Sequence, residues 1–394
     1  MNFKSISYFL GLFCFPISFL AFVNILYSSY FDYFLSINSY VITLFASLIV
    51  GLSLIFIGKK SEKKINFIEQ LLLIIFVYLL ISSFIALPFY LSNYQVTFLN
   101  SLFEAISGTT GTGFSIFKNI KYLDPTLILW RSSSQWIGGL YFLFFLILIF
   151  SNKQFNYKMN DLTYSGDGSL SSGSNIKDLL FKIFVLYSSL SFIIFLSLNI
   201  SEVRMFNSLN LSMSLVSAGG FLPTNSLERI IQTNPQKIIF IFSLLLSMLN
   251  FFLIFNLFDK KIIIREHKED FYLISLSIIF ISLVYLNNYN GLNIIMGVIS
   301  SLSNSGLSLI NSDNNLSLYF ILISAVGGSL ISNTSGIKMT RVYILIKTAI
   351  SEVNKLISPN SITNKNIFNS EKKITADNIK NSFLIFISFF ISLF

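Results

Sequence analysis

Long apolar segments alternate with short polar connections along almost the whole chain. A helix needs about 20 apolar residues to cross the hydrocarbon core of a bilayer. A segment that begins near Asn381 is still apolar where the sequence ends at Phe394. The pattern predicts eight earlier membrane helices, over 6–28, 39–58, 68–91, 127–150, 180–199, 237–258, 271–287 and 315–350. We expect the first two to form a hairpin.

One spacing of polar residues recurs three times between these segments. In each copy Ser follows Asn by seven residues, Gly follows Ser by six, and Phe or Leu follows Gly. The copies are Asn100–Ser107–Gly113, Asn207–Ser214–Gly220 and Asn293–Ser300–Gly306. Such repetition indicates one structural unit used several times. We predict that each Asn caps a short helix, too short to cross the membrane, that re-enters it and ends in a polar loop.

Composition confirms the membrane class and excludes most chemistry. The 394 residues are 54% hydrophobic and 11% charged, whereas a soluble domain carries roughly 25% charged residues. The sequence has no Ser/His/Asp set, no CxxC, no P-loop and no HExxH motif, so we predict neither an enzyme nor a bound organic cofactor. The single Cys14 has no partner for an internal disulfide.

The net charge of +9 is an orientation signal rather than a nucleic-acid surface. The basic residues cluster in alternate connections, together with Lys4 at the N-terminus. They are Lys59, Lys60, Lys63, Lys64, Lys153, Lys158, Lys177, Lys182, Lys260, Lys261, Arg265, Lys268, Lys347, Lys355, Lys372 and Lys373. The positive-inside rule places them on the cytoplasmic side. We therefore predict a multi-pass protein of the bacterial inner membrane, with a cytoplasmic N-terminus and no nucleic-acid partner. All three repeats then enter from outside.

The composition of the three repeat loops predicts an ion filter. The candidate residues are Thr110, Gly111, Thr112, Gly113, Ser217, Ala218, Gly219, Gly220, Ser303, Asn304, Ser305 and Gly306. The C-terminus of a short helix favours a cation, and small residues let backbone carbonyls replace the hydration shell of potassium. None of the loops offers a ring of carboxylates, which argues for a monovalent ion. The alternative is that these clusters are extracellular turns or tight helix contacts.

The eighth apolar segment is too long for one helix and contains two small polar clusters, where long helices break. The candidate gate residues are Gly327, Gly328, Asn333, Thr334, Ser335, Gly336, Lys338 and Arg341. One interpretation is a plug below the filter, in which Lys338 repels cations until the loop moves. The other is snorkelling of the two basic side chains at the inner boundary. Arg131 either anchors the outer end of its helix or pairs with Glu104, and we favour a structural role.

These motifs resemble the membrane subunit of Trk/Ktr-type potassium transporters over nearly the whole chain. SLFEAISGTTGTGFSIF, SAGGF and SSLSNSGLSL are similar to the family's first three pore loops, and AVGGSLISNTSGIKMTRVYILIK to its broken helix. A further family motif is carried by Trp130, Arg131, Gln135, Trp136, Gly138 and Gly139. The resemblance implies potassium as the transported ligand and four helix–pore–helix units around a central ion path. It also implies a homodimer gated by a cytoplasmic nucleotide-binding regulatory subunit.

The predicted fold is therefore an all-α polytopic membrane protein with pseudo-symmetric helix–pore loop–helix repeats. We divide the chain into an N-terminal hairpin (1–64), three units (65–152, 153–260 and 261–356) and an incomplete fourth unit (357–394). We expect the sequence to be truncated, or another polypeptide to complete the ring. Potassium uptake is the predicted function. A cation-coupled secondary transporter and a non-conducting truncated membrane subunit remain as alternatives.

Overall fold

The computed structural model describes residues 2–33, 37–61, 65–150, 176–251, 253, 268–285, 291–309, 314–358, 366–369 and 373–393. These residues form thirteen α-helices. They are α1 (Phe3–Tyr30), α2 (Ile37–Gly58), α3 (Phe67–Tyr90), α4 (Phe98–Thr109), α5 (Pro125–Phe150), α6 (Ile176–Ile200), α7 (Met205–Val216), α8 (Asn234–Met248), α9 (Lys268–Tyr285), α10 (Gly291–Leu302), α11 (Asn314–Val326), α12 (Met339–Ile357) and α13 (Ala376–Leu393). The all-α prediction is confirmed for this part of the chain.

Five of the described helices are long and apolar enough to cross a membrane. They are α1, α2, α3, α5 and α6, and they coincide with the predicted segments 6–28, 39–58, 68–91, 127–150 and 180–199. Several of the basic residues that set the predicted orientation, among them Lys63, Lys153 and Lys260, lie outside the described residues. The orientation therefore stays a prediction.

The predicted N-terminal hairpin is formed by α1 and α2, which approach closely at glycines. A Cβ placed on Gly11 would lie 2.6 Å from the carbonyl oxygen of Gly51. One on Gly58 would lie 2.5 Å from the carbonyl oxygen of Lys4. Small residues at such points let helix backbones pack together without a hydrophobic driving force. The side chain of Tyr141 in α5 donates to the carbonyl of Phe13 over 2.8 Å, which fixes the hairpin against the next helices.

The three repeats form three helices of twelve residues each, α4, α7 and α10. Twelve residues extend about 18 Å, well short of a hydrocarbon core of about 30 Å. The predicted N-caps are wrong, because Asn100, Asn207 and Asn293 are each the third residue of their helix. In α4 the cap is Thr97, whose side-chain hydroxyl accepts a hydrogen bond from the backbone N–H of Asn100. The capping hydroxyl of Thr97, three residues before Asn100, starts the helix earlier than the repeat suggested.

The chain divides into two compact units, each described here by itself. The first holds the described residues of Met1–Phe155 and Ile176–Ile239, and the second those of Phe240–Phe394. The second unit contains α9, which matches the predicted segment 271–287, and α13, which begins five residues before the expected start at Asn381. The division of the sequence into five segments stays a prediction.

The second unit contains two interrupted helices that bond to each other. The predicted break in segment 315–350 is confirmed, since α11 ends at Val326 and α12 begins at Met339. The continuous helix predicted over 237–258 is wrong, because α8 ends at Met248. Two backbone hydrogen bonds to the later break compensate the earlier one: Ser329 N–H donates to the Met248 carbonyl, and Phe251 N–H to the Ile331 carbonyl. These two bonds satisfy backbone groups that the interrupted helix would otherwise leave unpaired inside an apolar segment.

Candidate ion filter and gate

All three short helices end in the same backbone turn. The second residue of each loop has a left-handed conformation, with φ of +72° at Gly111, +55° at Ala218 and +58° at Asn304. The N–H of each of these residues donates to the carbonyl three residues earlier, over 3.0 to 3.1 Å. In the second and third loops the next residue, Gly219 or Ser305, adds the second bond of a Schellman ending, whereas in the first loop Gly113 N–H reaches the Ser107 carbonyl at 3.5 Å. These bonds satisfy carbonyls that a helix end otherwise leaves open. The threefold spacing in the sequence thus corresponds to a threefold helix ending.

The repeated Ser has two functions in this turn. Its carbonyl accepts the N–H of a loop residue, from Gly219 to Ser214 over 2.7 Å and from Ser305 to Ser300 over 3.1 Å. In the first two repeats its hydroxyl donates forward to the carbonyl seven residues later. Ser107 reaches the Phe114 carbonyl over 2.6 Å.

The third repeat uses its hydroxyl differently. Ser214 in the second repeat reaches the Phe221 carbonyl over 2.9 Å. The Ser300 hydroxyl instead lies 3.1 Å from that of Ser305, which also accepts from Ser303 over 3.2 Å. The third loop, in the second unit, therefore has a hydroxyl cluster where the first two have a hydroxyl-to-carbonyl bond.

The first two loops touch at their repeat glycines, within the first unit. A Cβ on Gly113 would lie 2.7 Å from the Cα of Gly220, and Gly113 has φ of +82°. Both the contact and the left-handed conformation require glycine at this position. The glycines that mark the repeat in the sequence thus allow a close approach between two loops.

Gln135 of α5 lies directly behind the second loop. Its Oε1 accepts the Phe221 N–H over 3.2 Å. A Cβ on Gly219 would lie 2.4 Å from the side-chain carboxamide, so glycine is the residue that fits beside Gln135. The sequence placed Gln135 in a family motif but gave it no contact with the second loop.

A buried ion pair anchors the segment that follows the first loop. The Nε of Arg131 in α5 donates to Oε1 of Glu104 in α4 over 2.7 Å, and the two side chains are 1% and 0% exposed. Glu104 also accepts the Ile116 N–H over 2.9 Å and the Ser115 hydroxyl over 3.0 Å. Of the two alternatives for Arg131, the pairing with Glu104 is the one observed.

The same arginine reaches the second loop. Its guanidinium carbon lies 4.3 Å from the centre of the Phe221 ring, and its Nη1 lies 3.5 Å from the Leu222 carbonyl. Guanidinium groups stack favourably on aromatic faces. Arg131 therefore connects the segments that follow both candidate filter loops of the first unit to one helix.

The candidate gate is the segment 327–338 between α11 and α12, which we call the gate loop. Its two arms cross at Gly327 and Gly336, with φ of +71° and +90°. A Cβ on Gly327 would lie 2.1 Å from the Ser335 carbonyl oxygen. Three backbone hydrogen bonds of 2.9 to 3.0 Å join the arms, from residues 337, 338 and 339 to residues 325, 326 and 328. The predicted glycine cluster thus forms a folded, cross-bonded loop.

Lys338 is folded into the gate loop. Its side chain is 7% exposed, its backbone has φ of +79°, and it precedes the first residue of α12. The ammonium donates to the carbonyl and hydroxyl oxygens of Ser332 over 3.2 and 3.1 Å, and to both equivalent oxygens of Thr334. Arg341 donates to the Ile337 carbonyl over 3.2 Å. The Lys338 ammonium is therefore held by hydrogen bonds to neutral oxygens of its own loop, and the Glu269 carboxylate also acts on it electrostatically.

Comparison with known proteins gives one family. The profile of TrkH, described as a cation transport protein, matches residues 36–277. An uncharacterized cation transporter of Methanocaldococcus jannaschii is 26% identical over 297 residues, which cover 72% of this chain and 60% of that protein. The Trk system potassium uptake protein TrkG of Escherichia coli is 26% identical over 358 residues, which cover 82% of this chain and 70% of that protein.

A solved structure has the same fold. The crystal structure of the potassium transporter TrkH from Vibrio parahaemolyticus matches with a TM-score of 0.83 and 18% sequence identity, over 98% of this chain and 83% of that one. The chain thus spans 60% of the length of the archaeal relative and 70% of that of the Escherichia coli relative.

Proposed function

The chain belongs to the TrkH family of cation transport proteins, and we propose that it carries potassium ions into the cell across the bacterial cytoplasmic membrane. The observation that carries the proposal is the threefold helix ending, with left-handed residues at Gly111, Ala218 and Asn304. The name of the Escherichia coli relative, a potassium uptake protein, supports potassium as the ion.

In this proposal the three loops supply the selective part of the path. Each short helix directs the negative end of its dipole toward a cation. Its last turn is closed by hydrogen bonds from the loop amides, so the loop carbonyls that follow are available to an ion. The filter residues are 110–113, 217–220 and 303–306. Entry would be driven by the membrane potential, which contributes about 2.3 kcal/mol per charge per 100 mV.

The gate loop, with Arg341 beyond it, is proposed to control passage below the filter. A positive charge near a cation path raises the energy of the ion there, and Lys338 carries that charge on the loop itself. Moving or shortening the loop would move the charge. The surrounding assembly, a homodimer with a cytoplasmic nucleotide-binding regulatory subunit, is part of the same proposal, as are the cytoplasmic N-terminus and the division into helix–pore–helix units.

Rubidium uptake into cells that lack their own potassium uptake systems tests the transport proposal. Expression should give saturable rubidium uptake that potassium inhibits and that collapses when the membrane potential is removed. Uptake that instead requires a sodium or proton gradient at constant potential would favour a coupled transporter. No uptake above the empty-vector control would contradict the proposal.

A shortened gate loop tests the gate separately. Deleting residues 332–336 removes the oxygens that hold the Lys338 ammonium, and we expect rubidium flux to rise several-fold. Replacing the exposed Glu352 of α12 by Gln serves as the control, with unchanged flux. Unchanged flux in the deletion variant would reject the gate while leaving the transport proposal intact.

A further inference from the structure

We propose that Glu269 and Asp270, adjacent residues in the first turn of α9, are positioning residues that latch the gate loop to the break after α8. The two interrupted helices would then open together rather than separately. The proposal rests on the proposed gating function and adds to it the residues that hold the gate closed. All the groups involved lie in the second unit.

Glu269 holds both ends of the gate loop through one carboxylate oxygen. Its Oε1 accepts the Leu330 N–H over 3.0 Å and the Thr340 N–H over 3.2 Å. The Thr340 hydroxyl donates to the same oxygen. Leu330 lies in the first arm of the loop, whereas Thr340 lies in the first turn of α12 after the second arm. Moving either arm outward therefore breaks a bond to Glu269.

Asp270 holds the other interrupted helix. Its Oδ1 accepts the Asn250 N–H over 2.8 Å, at the point where the helical bonding of α8 has stopped. The two breaks are also joined directly, from Ser329 N–H to the Met248 carbonyl over 2.9 Å and from Phe251 N–H to the Ile331 carbonyl over 2.8 Å. The carboxylates and these two backbone bonds therefore form a closed connection between loop and break.

Adjacent carboxylates suit this role for a physical reason. Both are almost completely buried, Glu269 at 8% and Asp270 at 2% exposure. A buried carboxylate is costly unless hydrogen bonds satisfy it, and each lost donor makes the closed state less favourable. Because the two residues are neighbours on one helical turn, any displacement of that turn reaches both breaks at once.

A cysteine at position 329 provides the probe for opening. Ser329 is fully buried, and its hydroxyl has no hydrogen-bond partner among the described residues. Ser329→Cys is therefore a small change, and replacing the one native cysteine by Cys14→Ala removes background labelling. In the protein reconstituted in vesicles, the rate of reaction with a water-soluble maleimide reports how often the loop exposes this position, and rubidium flux is measured on the same samples.

We expect Glu269→Gln to raise the labelling rate at least fivefold and to raise basal rubidium flux in parallel. The amide keeps the side-chain shape but replaces a charged acceptor. Thr340→Val, which removes one donor with little change in volume, should act in the same direction and more weakly. Glu352→Gln, at an exposed position on α12 paired with Lys355, is the matched control and should change neither readout.

Asp270→Asn distinguishes one latch from two independent contacts. If the breaks open together, Asp270→Asn also raises labelling at position 329, although Asp270 bonds to the break after α8. Labelling that stays at the parent rate in folded Glu269→Gln and Thr340→Val proteins would overturn the latch, and a parent rate in folded Asp270→Asn protein would show that the two breaks open separately, which overturns it as well. If the parent shows no rubidium flux, the transport proposal fails, while the labelling rates still test the latch.

Discussion

The two units each bury a cation, and they satisfy it in opposite ways. In the first unit, Arg131 pairs with the Glu104 carboxylate at 2.7 Å and contacts segments that follow two different loops. In the second, Lys338 donates to neutral oxygens of Ser332 and Thr334, within its own loop. An ion pair between separate helices fixes their positions, whereas a cation held by its own loop travels with that loop.

The difference suggests a division of labour between rigid and movable parts. A filter requires loops whose positions do not change as ions pass. The ion pair of Arg131 and Glu104 joins α5 to α4 and would hold such loops in place. A gate requires a charge that moves with the gating segment. Lys338 would do so, because moving the whole loop preserves its contacts with Ser332 and Thr334.

Removing the arginine should have the largest effect. Arg131→Met leaves the Glu104 carboxylate buried without its cation, and breaking a buried ion pair from one side costs about 3–5 kcal/mol. We expect a lower melting temperature in detergent and loss of rubidium uptake. The Glu104→Gln/Arg131→Met double variant should melt above the single Arg131→Met variant, because no unpaired charge remains. A single variant as stable as the parent would contradict the cross-link.

The repeated serines should show the next effect, and they should differ between the units. Ser214→Ala leaves the buried Phe221 carbonyl without its donor, which costs about 1–3 kcal/mol. Ser300→Ala should cost less, because the Ser305 hydroxyl keeps its bond to Ser303. Thermal unfolding and the ratio of potassium to sodium flux measure both. Equal losses of melting temperature at the two positions would contradict this difference. They would show that the Ser300 hydroxyl cluster contributes as much stability as the bond from Ser214 to the Phe221 carbonyl.

Neutralising the lysine should change flux more than stability. Lys338→Met removes charge-assisted hydrogen bonds to neutral oxygens, but it also removes the desolvation cost of a buried ammonium, so the two effects on stability offset in part. The same change removes the charge from the gate loop. We expect rubidium flux to rise, with a smaller loss of melting temperature than Arg131→Met causes. Flux at the parent level, or a loss of stability equal to that of Arg131→Met, would show that Lys338 is a structural residue like Arg131.

The smallest effect should come from a left-handed glycine with free space around it. The nearest atom to a Cβ on Gly111 would be the Ser217 carbonyl oxygen at 3.8 Å, an ordinary contact. Gly111→Ala should therefore cost only the backbone strain, about 1–2 kcal/mol. In the gate loop, Gly327→Ala should cost more, because a Cβ there would lie 2.1 Å from the Ser335 carbonyl oxygen. Comparing the two melting temperatures separates strain from crowding.

The sequence predicted the broken helix and the three short helices, because both depend on residues that are close together in the chain. The glycine and polar clusters of 327–336 correctly marked a broken helix, and the threefold spacing marked three short helices. The break after Met248 was missed because only Ser247 and Asn250 interrupt the apolar residues around it. Its compensating partners, Ser329 and Ile331, lie far along the chain. The hydrophobic pattern of 237–258 therefore does not indicate where the helix breaks.

The candidate site was predictable to a similar extent. The spacing of Ser107 and Ser214 identified residues that do close the helix endings, although their bonds to carbonyls seven residues later require the folded turn. Glu269 and Asp270 were missed because they lie in a charged stretch, IIIREHKED, that resembles a solvated connection. Their partners, Leu330 for Glu269 and Asn250 for Asp270, lie elsewhere along the chain. The filter and gate roles themselves stay predictions.

The potassium-to-sodium flux ratio of a Gly113→Ala variant tests the central claim most directly. Gly113 touches Gly220 of the second loop, so an alanine there must displace one loop from the other. If the loops form a selective path, the parent protein transports potassium in strong preference to sodium, and the variant loses at least tenfold of that preference or stops transporting. A folded variant with the parent's rate and the parent's flux ratio would contradict the assignment of these loops as the filter.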